Sequence, residues 1–274
     1  MDDATDDLDH EHGERTATSS APASPPVDLS GEVALVTGAT SGLGRHFAWV
    51  LARLGAQVVV TGRRVERLQT LAGEADEQGL TMVPHALDMT DAGAIQRVFD
   101  AVWEELGGAT ILVNNAGVPD AQRAHKMSLE LIDRVIDTNL RGPYVASCEL
   151  ARRLIESGRP GRIVNISSMS AFHYDGHGAA LYSTTKAAVV RMTEALAVEW
   201  ARHHINVNAI APGGFRSEMM DGMLERVGDI TKGFPRRRLG EPDQLDSTLV
   251  YLCSPASEAV TGTVIKVDDG QGSR

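Results

Sequence analysis

The feature that most constrains this chain is an alternation that begins at Val33. A short run rich in valine and isoleucine is followed by a longer amphipathic stretch, and the pattern repeats to the C-terminus. The apolar runs predict strands at Val33–Thr37, Gln57–Thr61, Thr81–Leu87, Thr110–Asn114, Arg162–Ser167, Ile205–Ala211 and Thr263–Val267. Most do not alternate apolar with polar residues, so they should be buried on both faces, as in a parallel sheet. The stretches between them predict helices at Leu43–Leu54, Val65–Gln78, Ala92–Leu106, Leu129–Glu156, Ala180–His203 and Gln244–Leu252. Strand–helix alternation with right-handed crossovers yields an α/β fold: a doubly wound parallel sheet of about seven strands with helices on both faces. No repeat of solenoid period is present and no Pro/Gly linker divides the body, so residues 29–274 read as one domain.

Residues 1–28 differ in kind. They are acidic, then rich in Ser, Ala, Thr and Pro, with Leu8 as their one leucine or isoleucine. Such a stretch buries too little surface to offset its ordering entropy, and a disordered tail is expected. His10-Glu11-His12 within it lacks further ligands nearby, so no metal site is expected. Of the net charge of −11, residues 1–30 carry −7, from eight acids against Arg15. Neither part offers a basic surface for nucleic acid or anionic lipid. Cys148 and Cys253 are far apart without metal-ligand spacing, and two reduced thiols suit the cytoplasm. No apolar run is long enough to span a membrane.

The chemistry-bearing residues gather where strands end. Gly38, Gly42 and Gly44, with Thr40, Ser41 and Leu43 between them, separate the first strand from the first helix. A phosphate there needs close backbone approach and free N–H groups at a positive helix end. The second strand ends in Gly62-Arg63-Arg64, with glycine where an acid would bind ribose hydroxyls and cations where a 2′-phosphate would sit. That favours NADP(H) over NAD(H), though NAD(H) remains possible. Asp88, ending the third strand, can reach an adenine edge or cap the next turn. Asn114-Asn115-Ala116-Gly117 ends the fourth, where the amides either face a ligand or satisfy the turn. Asn139 falls inside a predicted helix, a poor place for asparagine unless it marks a bend or faces water. Tyr182 and Lys186 are spaced i, i+4, so phenol and ammonium share a helix face. A lysine held there is expected to lower the tyrosine pKa toward the working range, making it a proton donor to a carbonyl or acceptor from an alcohol.

Taken together, the glycine turn, Asn114–Gly117, Asn139, a serine before Tyr182, Tyr182-x-x-x-Lys186 and Pro212-Gly213 occur in the order of one family. From about Gly31 to Gly270 the chain resembles the single-domain short-chain dehydrogenases/reductases, particularly their 3-oxoacyl-carrier-protein-reductase-like and sugar-alcohol-dehydrogenase-like members. The resemblance implies a Rossmann-type sheet and hydride transfer between nicotinamide and a ketone or secondary alcohol. It makes Tyr182 the general acid or base and gives Lys186 the ribose hydroxyls. Asn139 would hold a water on the proton path, and a serine would bind the substrate oxygen. Ser168, fourteen residues before Tyr182, is chosen for that serine over Ser167 and Ser170, with one extra residue inferred in the Ala171–Leu181 loop. Pro212, Gly213 and Ser217 would lie along the nicotinamide. Residues 214–238 would form a substrate lid, with methionines at 219, 220 and 223, and His173, Tyr174 and His177 could line the pocket. Family members pair the two long helices into dimers and often tetramers. A homodimer or homotetramer is therefore expected here, with Asp269, in place of the family's usual glycine, as the departure at the second interface. Two alternatives are an NAD-dependent polyol or hydroxysteroid dehydrogenase and a non-catalytic nucleotide sensor.

Overall fold

The computed structural model describes residues 27–174, 176 and 178–272; most of the acidic N-terminal stretch and His177 lie outside them. Strand β1 (Val33–Thr37) is buried at every position. Ala34 and Val36 face one apolar core, while Val33 and Leu35 face another. A strand with no solvent face must lie inside a sheet covered on both sides, and this one does. The elements that follow are α1 (Gly42–Arg53), β2 (Gln57–Gly62), α2 (Val65–Asp76), β3 (Met82–Ala86), α3 (Ala92–Leu106) and β4 (Ile111–Asn114). Then come α4 (Leu129–Ile136), α5 (Gly142–Ser157), β5 (Gly161–Ile166), α6 (Ala180–Trp200), β6 (Ile205–Pro212), α7 (Glu218–Val227), α8 (Asp246–Cys253) and β7 (Val264–Val267).

The seven strands pair in parallel in the order β3-β2-β1-β4-β5-β6-β7. One core packs α1, α2 and α8 against the sheet through Phe47, Leu51, Leu68, Leu71 and Leu249. The other packs α3, α5 and α6 through Ile95, Phe99, Leu150, Leu154 and Leu196. Full burial of each such side chain contributes about 1.5–3 kcal/mol. The strand order reverses between β1 and β4, so the loops leaving their carboxyl ends diverge and open a crevice.

Two predicted elements come out differently. The single helix expected over Leu129–Glu156 is broken: α4 and α5 are joined by a π-helical turn at Asp137–Arg141. Pro143 is the reason, since it has no N–H to give the carbonyl of Asn139 four residues earlier, and its ring crowds that position. The expected lid contains a regular helix, α7, capped by the Ser217 hydroxyl, which accepts from Met220 N at 3.2 Å. No residue of α7 is buried. Its two flanks are tied together where Arg216 N donates to Gly240 O at 2.9 Å and Gly240 N to Gly214 O at 2.8 Å.

Candidate active site

The crevice is a cleft of about 460 Å³ whose wall carries residues from both sides of the β1–β4 reversal. At one end the chain turns from β1 into α1. A Cβ on Gly44 would lie 2.3 Å from Asn115 Nδ2 and 2.4 Å from the Gly38 carbonyl oxygen, so only glycine permits this packing. Asn115 secures the turn by donating its amide to the carbonyls of Thr37 and Gly38 at 3.0 and 3.3 Å. Of the two roles open to that amide, satisfying the turn is the one seen. The Ser41 hydroxyl does not cap α1 and accepts from Arg64 Nη2 at 2.8 Å instead. Thr40, Ser41, Gly42 and Leu43 line the cleft, whereas Gly44 stands behind them and shapes the turn without forming the wall.

The floor beside this turn is Gly62, whose Cβ, if it had one, would meet Thr40 Cγ2 at 2.6 Å. A side chain at that position would have to push the Thr40 side chain aside. Arg63 is exposed on the rim, with no carboxylate partner among the described residues. Arg64, the second of the two cations, is the more engaged. It reaches Thr40 Oγ1 through Nε at 3.1 Å and Nη2 at 2.8 Å, and Glu218 through Nη1 at 3.0 Å. Glu218 also takes Arg67 at 2.5 Å, and this pair of guanidiniums, Arg67 first, holds its carboxyl down at about 2. The first residue of α7 is thereby latched to the start of α2. Asp88 lines the cleft and caps its own turn, accepting from Thr90 N and Oγ1 at 3.0 and 2.9 Å.

Ser168, Tyr182 and Lys186 meet at the other end. The Ser168 side chain lies beside the Tyr182 phenol and favours its ionised form. Ser167 is turned away and donates to the carbonyl of Lys186 at 2.9 Å. Lys186 Nζ gives a hydrogen bond to the Ile166 carbonyl at 2.7 Å and lies 5.6 Å from the centre of the Tyr182 ring. Asn139 Oδ1 and Lys186 Nζ flank Gly117, both within 3.6 Å of where its Cβ would be. The Asn139 amide clamps Val118, accepting from its N–H at 2.8 Å and donating to its carbonyl at 2.9 Å. Pro212 and Ser217 line the cleft, while Gly213 packs behind it against Gln271. Tyr174 and His173 are exposed.

One electrostatic expectation is corrected. Burial raises the Tyr182 phenol above its ordinary value, with the Ser168 hydrogen bond opposing and Asp120 adding to the rise. Lys186 is itself buried, which brings its ammonium down to about 8, and it donates to the Ile166 carbonyl. A second residue absent from the sequence reading is Asp120, 3% exposed, whose carboxylate reaches the start of α6. Its only sequence signal is indirect: Ala179, before α6, has no side chain able to cap a helix.

The cleft fits a dinucleotide by its own geometry: a turn only glycine can make, an uncapped helix end and cations on the rim. Comparison with known proteins agrees. The family profile for short chain dehydrogenases matches residues 32–227. Gluconate 5-dehydrogenase of Gluconobacter oxydans is 36% identical over 245 residues, covering 88% of this chain and 95% of that protein. A 3-oxoacyl-[acyl-carrier-protein] reductase of Aquifex aeolicus is 35% identical over 246 residues, covering 89% and 98%. Among solved structures, a variant of actinorhodin polyketide ketoreductase with NADPH superposes with a TM-score of 0.84 at 35% identity, covering 89% of this chain and 98% of that one. A gluconate 5-dehydrogenase from Burkholderia cenocepacia in complex with NADP and tartrate gives 0.84 at 30%, covering 89% and 96%. The chain belongs to the short-chain dehydrogenase/reductase family and is a nicotinamide-dependent oxidoreductase acting between carbonyl compounds and alcohols.

Proposed function

We propose that this protein is an NADPH-preferring carbonyl reductase of the 3-oxoacyl type, with Ser168, Tyr182, Lys186 and Asn139 as its catalytic set. The observation that carries the chemistry is that the Ser168 and Tyr182 side chains share one end of the cleft with a buried lysine anchored at Ile166. The nicotinamide supplies or accepts the hydride. Ser168 orients the substrate oxygen and stabilises the charge that develops on it. Tyr182 gives its phenolic proton to that oxygen in reduction and takes it back in oxidation. Lys186, anchored at Ile166, keeps a proton source beside the ring and can reach ribose hydroxyls.

Cofactor preference rests on Gly62, which offers no acid to the ribose hydroxyls, and on the adjoining Arg63 and Arg64. The NADPH and NADP of the two structural relatives point the same way. Residues 214–238 act as the substrate lid, hinged where Gly214 and Arg216 meet Gly240. Met219 brings an apolar side chain to the cleft, while Met220 and Met223 are half-buried against the body. A soluble cytoplasmic homodimer or homotetramer is the assembly in view. Of the small and apolar residues on α5 and α6, Ala146 and Ala197 are used in the chain's own core. Ala195 and Val198 remain exposed on α6, Val198 at 81%. The N-terminal 28 residues are dispensable for catalysis.

The test is a panel of 3-oxoacyl esters, polyols and sugar acids with each cofactor, followed at the nicotinamide absorbance. A lower KM for NADPH with a 3-oxoacyl ester is expected. Turnover confined to NAD and polyols would favour the dehydrogenase alternative, and no turnover at all would return the protein to a sensing role.

A further inference from the structure

Helix α6 carries Tyr182 in its first turn, yet it has no cap of its own. Ala179 stands at the N-cap and offers no acceptor. The missing acceptor comes from Asp120, 61 residues before Leu181. Asp120 Oδ2 accepts from Leu181 N at 2.9 Å and from Tyr182 N at 3.3 Å, while Oδ1 accepts from Ala121 N at 2.9 Å. The carboxylate is 3% exposed, and next to it Ala121 is held at φ 53°, a left-handed conformation that alanine rarely adopts. A buried charge beside a strained residue persists only where its surroundings compensate it, and here the compensation is the positive end of α6.

We infer that Asp120 is a positioning residue for Tyr182: delivered by the loop that also carries Asn115, Ala116 and Gly117, it docks the catalytic helix onto the nicotinamide side of the cleft. The inference rests on the reading of Tyr182 as the acid–base group. One loop thus lines the cleft with Ala116 and Gly117, is clamped at Val118 by Asn139, and holds the backbone of Tyr182 itself. The charged groups facing the phenol are Lys186 from its own helix and Asp120 from this loop. The segment after β5 contributes the neutral Ser168 hydroxyl. Arg63, Arg64, Asp88 and Glu218 belong to the β2–β3 end of the cleft. Asp120 therefore has two separable effects. As a hydrogen-bond acceptor it aims the phenol, and as an anion it makes the phenolate harder to form.

Asp120→Asn keeps an acceptor and removes the charge, whereas Asp120→Ala removes both. The readout is kcat against pH for oxidation of the best substrate among gluconate, galactitol and ethyl 3-hydroxybutanoate, with NADPH fluorescence checking that each variant is folded. In oxidation the phenolate is the base, so activity rises as the phenol ionises. Removing the anion should move that rise to lower pH in both variants. The asparagine enzyme should keep plateau turnover within a few-fold of wild type. The alanine enzyme should lose up to about 100-fold, as misplacement of a catalytic group by about 1 Å does. A purely structural cap would lower the melting temperature and plateau without moving the profile, and an unmoved profile in Asp120→Asn overturns the proposal. Tyr182→Phe separates the two claims. If it keeps wild-type turnover, the acid–base reading fails and this inference with it. If it is inactive while Asp120→Asn titrates as wild type, only the role of Asp120 fails.

Discussion

The two ends of the cleft are built by different means. The glycine-turn end comes from a nearly contiguous stretch, Thr37 to Arg67, with Asn115 and Glu218 as its distant ties. The catalytic end draws on Asp120, Asn139, Ser168 and the Tyr182–Lys186 pair, from four separate segments, and only Tyr182 and Lys186 are close in sequence. A site made from one segment keeps its shape through backbone geometry and needs glycine where atoms crowd. A site made from several segments keeps its shape through buried polar contacts, which are strong only when every partner is present. Disturbing the first end should therefore change binding, and disturbing the second should change rate.

The largest expected effect tests the catalytic end. Tyr182→Phe should lower kcat by about 10²–10⁴, the usual worth of general acid–base help. NADPH affinity, read by fluorescence titration, should stay within about twofold, and an equal loss of both would erase the distinction between the ends.

Lys186 provides the next test, through stability. Its folded pKa, about 8, lies below its ordinary value because of burial. Below pH 8 the folded state must keep a charged ammonium buried. Between pH 8 and 10.5 the unfolded chain holds the proton more tightly than the folded one, so this cost is relieved as pH rises. Relative to Lys186→Met, the wild-type enzyme should thus gain stability on the order of a few kcal/mol across that window. Denaturant melts at pH 7 and pH 10.5 measure it, and a constant difference between the two proteins would show that Lys186 is better solvated than its burial implies.

At the opposite end, Arg63→Ala should raise the KM for NADPH selectively, leaving kcat and the KM for NADH little changed. Loss of a charge-assisted contact of about 1.5–3 kcal/mol corresponds to roughly 10- to 100-fold. If kcat falls as well, the cofactor end is coupled to the chemistry more closely than its separate construction suggests.

The smallest effect sharpens the comparison at Glu218, which spans the two regions by latching α7 to Arg64 and Arg67. Its carboxylate competes with a 2′-phosphate for the same guanidinium. Glu218→Gln should lower the KM for NADPH a few-fold and leave that for NADH unchanged, since an exposed ion pair contributes only about 0–1 kcal/mol. A lower affinity for both cofactors would mean that the latch holds the lid in place for binding.

Sequence alone determined what depends on near neighbours. The lack of alternation in β1, β2, β4, β5 and β6 decided that these central strands would be buried on both faces, because alternation or its lack is a property of a few consecutive residues; the edge strands β3 and β7 are only partly covered. Gly38, Gly42 and Gly44 marked the turn, and the i, i+4 spacing put Tyr182 and Lys186 on one face, for the same reason. The break at Asn139 was legible only in part: asparagine signalled a fault in the helix, while the π-helical form depended on how Pro143 was accommodated. Only the tertiary structure decided that Ser167 is spent on the Lys186 carbonyl, that Arg64 is tied to Glu218, and that Asp120 caps α6. It also reversed the sign of the tyrosine shift. A pKa answers to burial and to charges brought from other elements, and the linear pattern carries neither, because both arise when segments 20 to 150 residues apart come into contact.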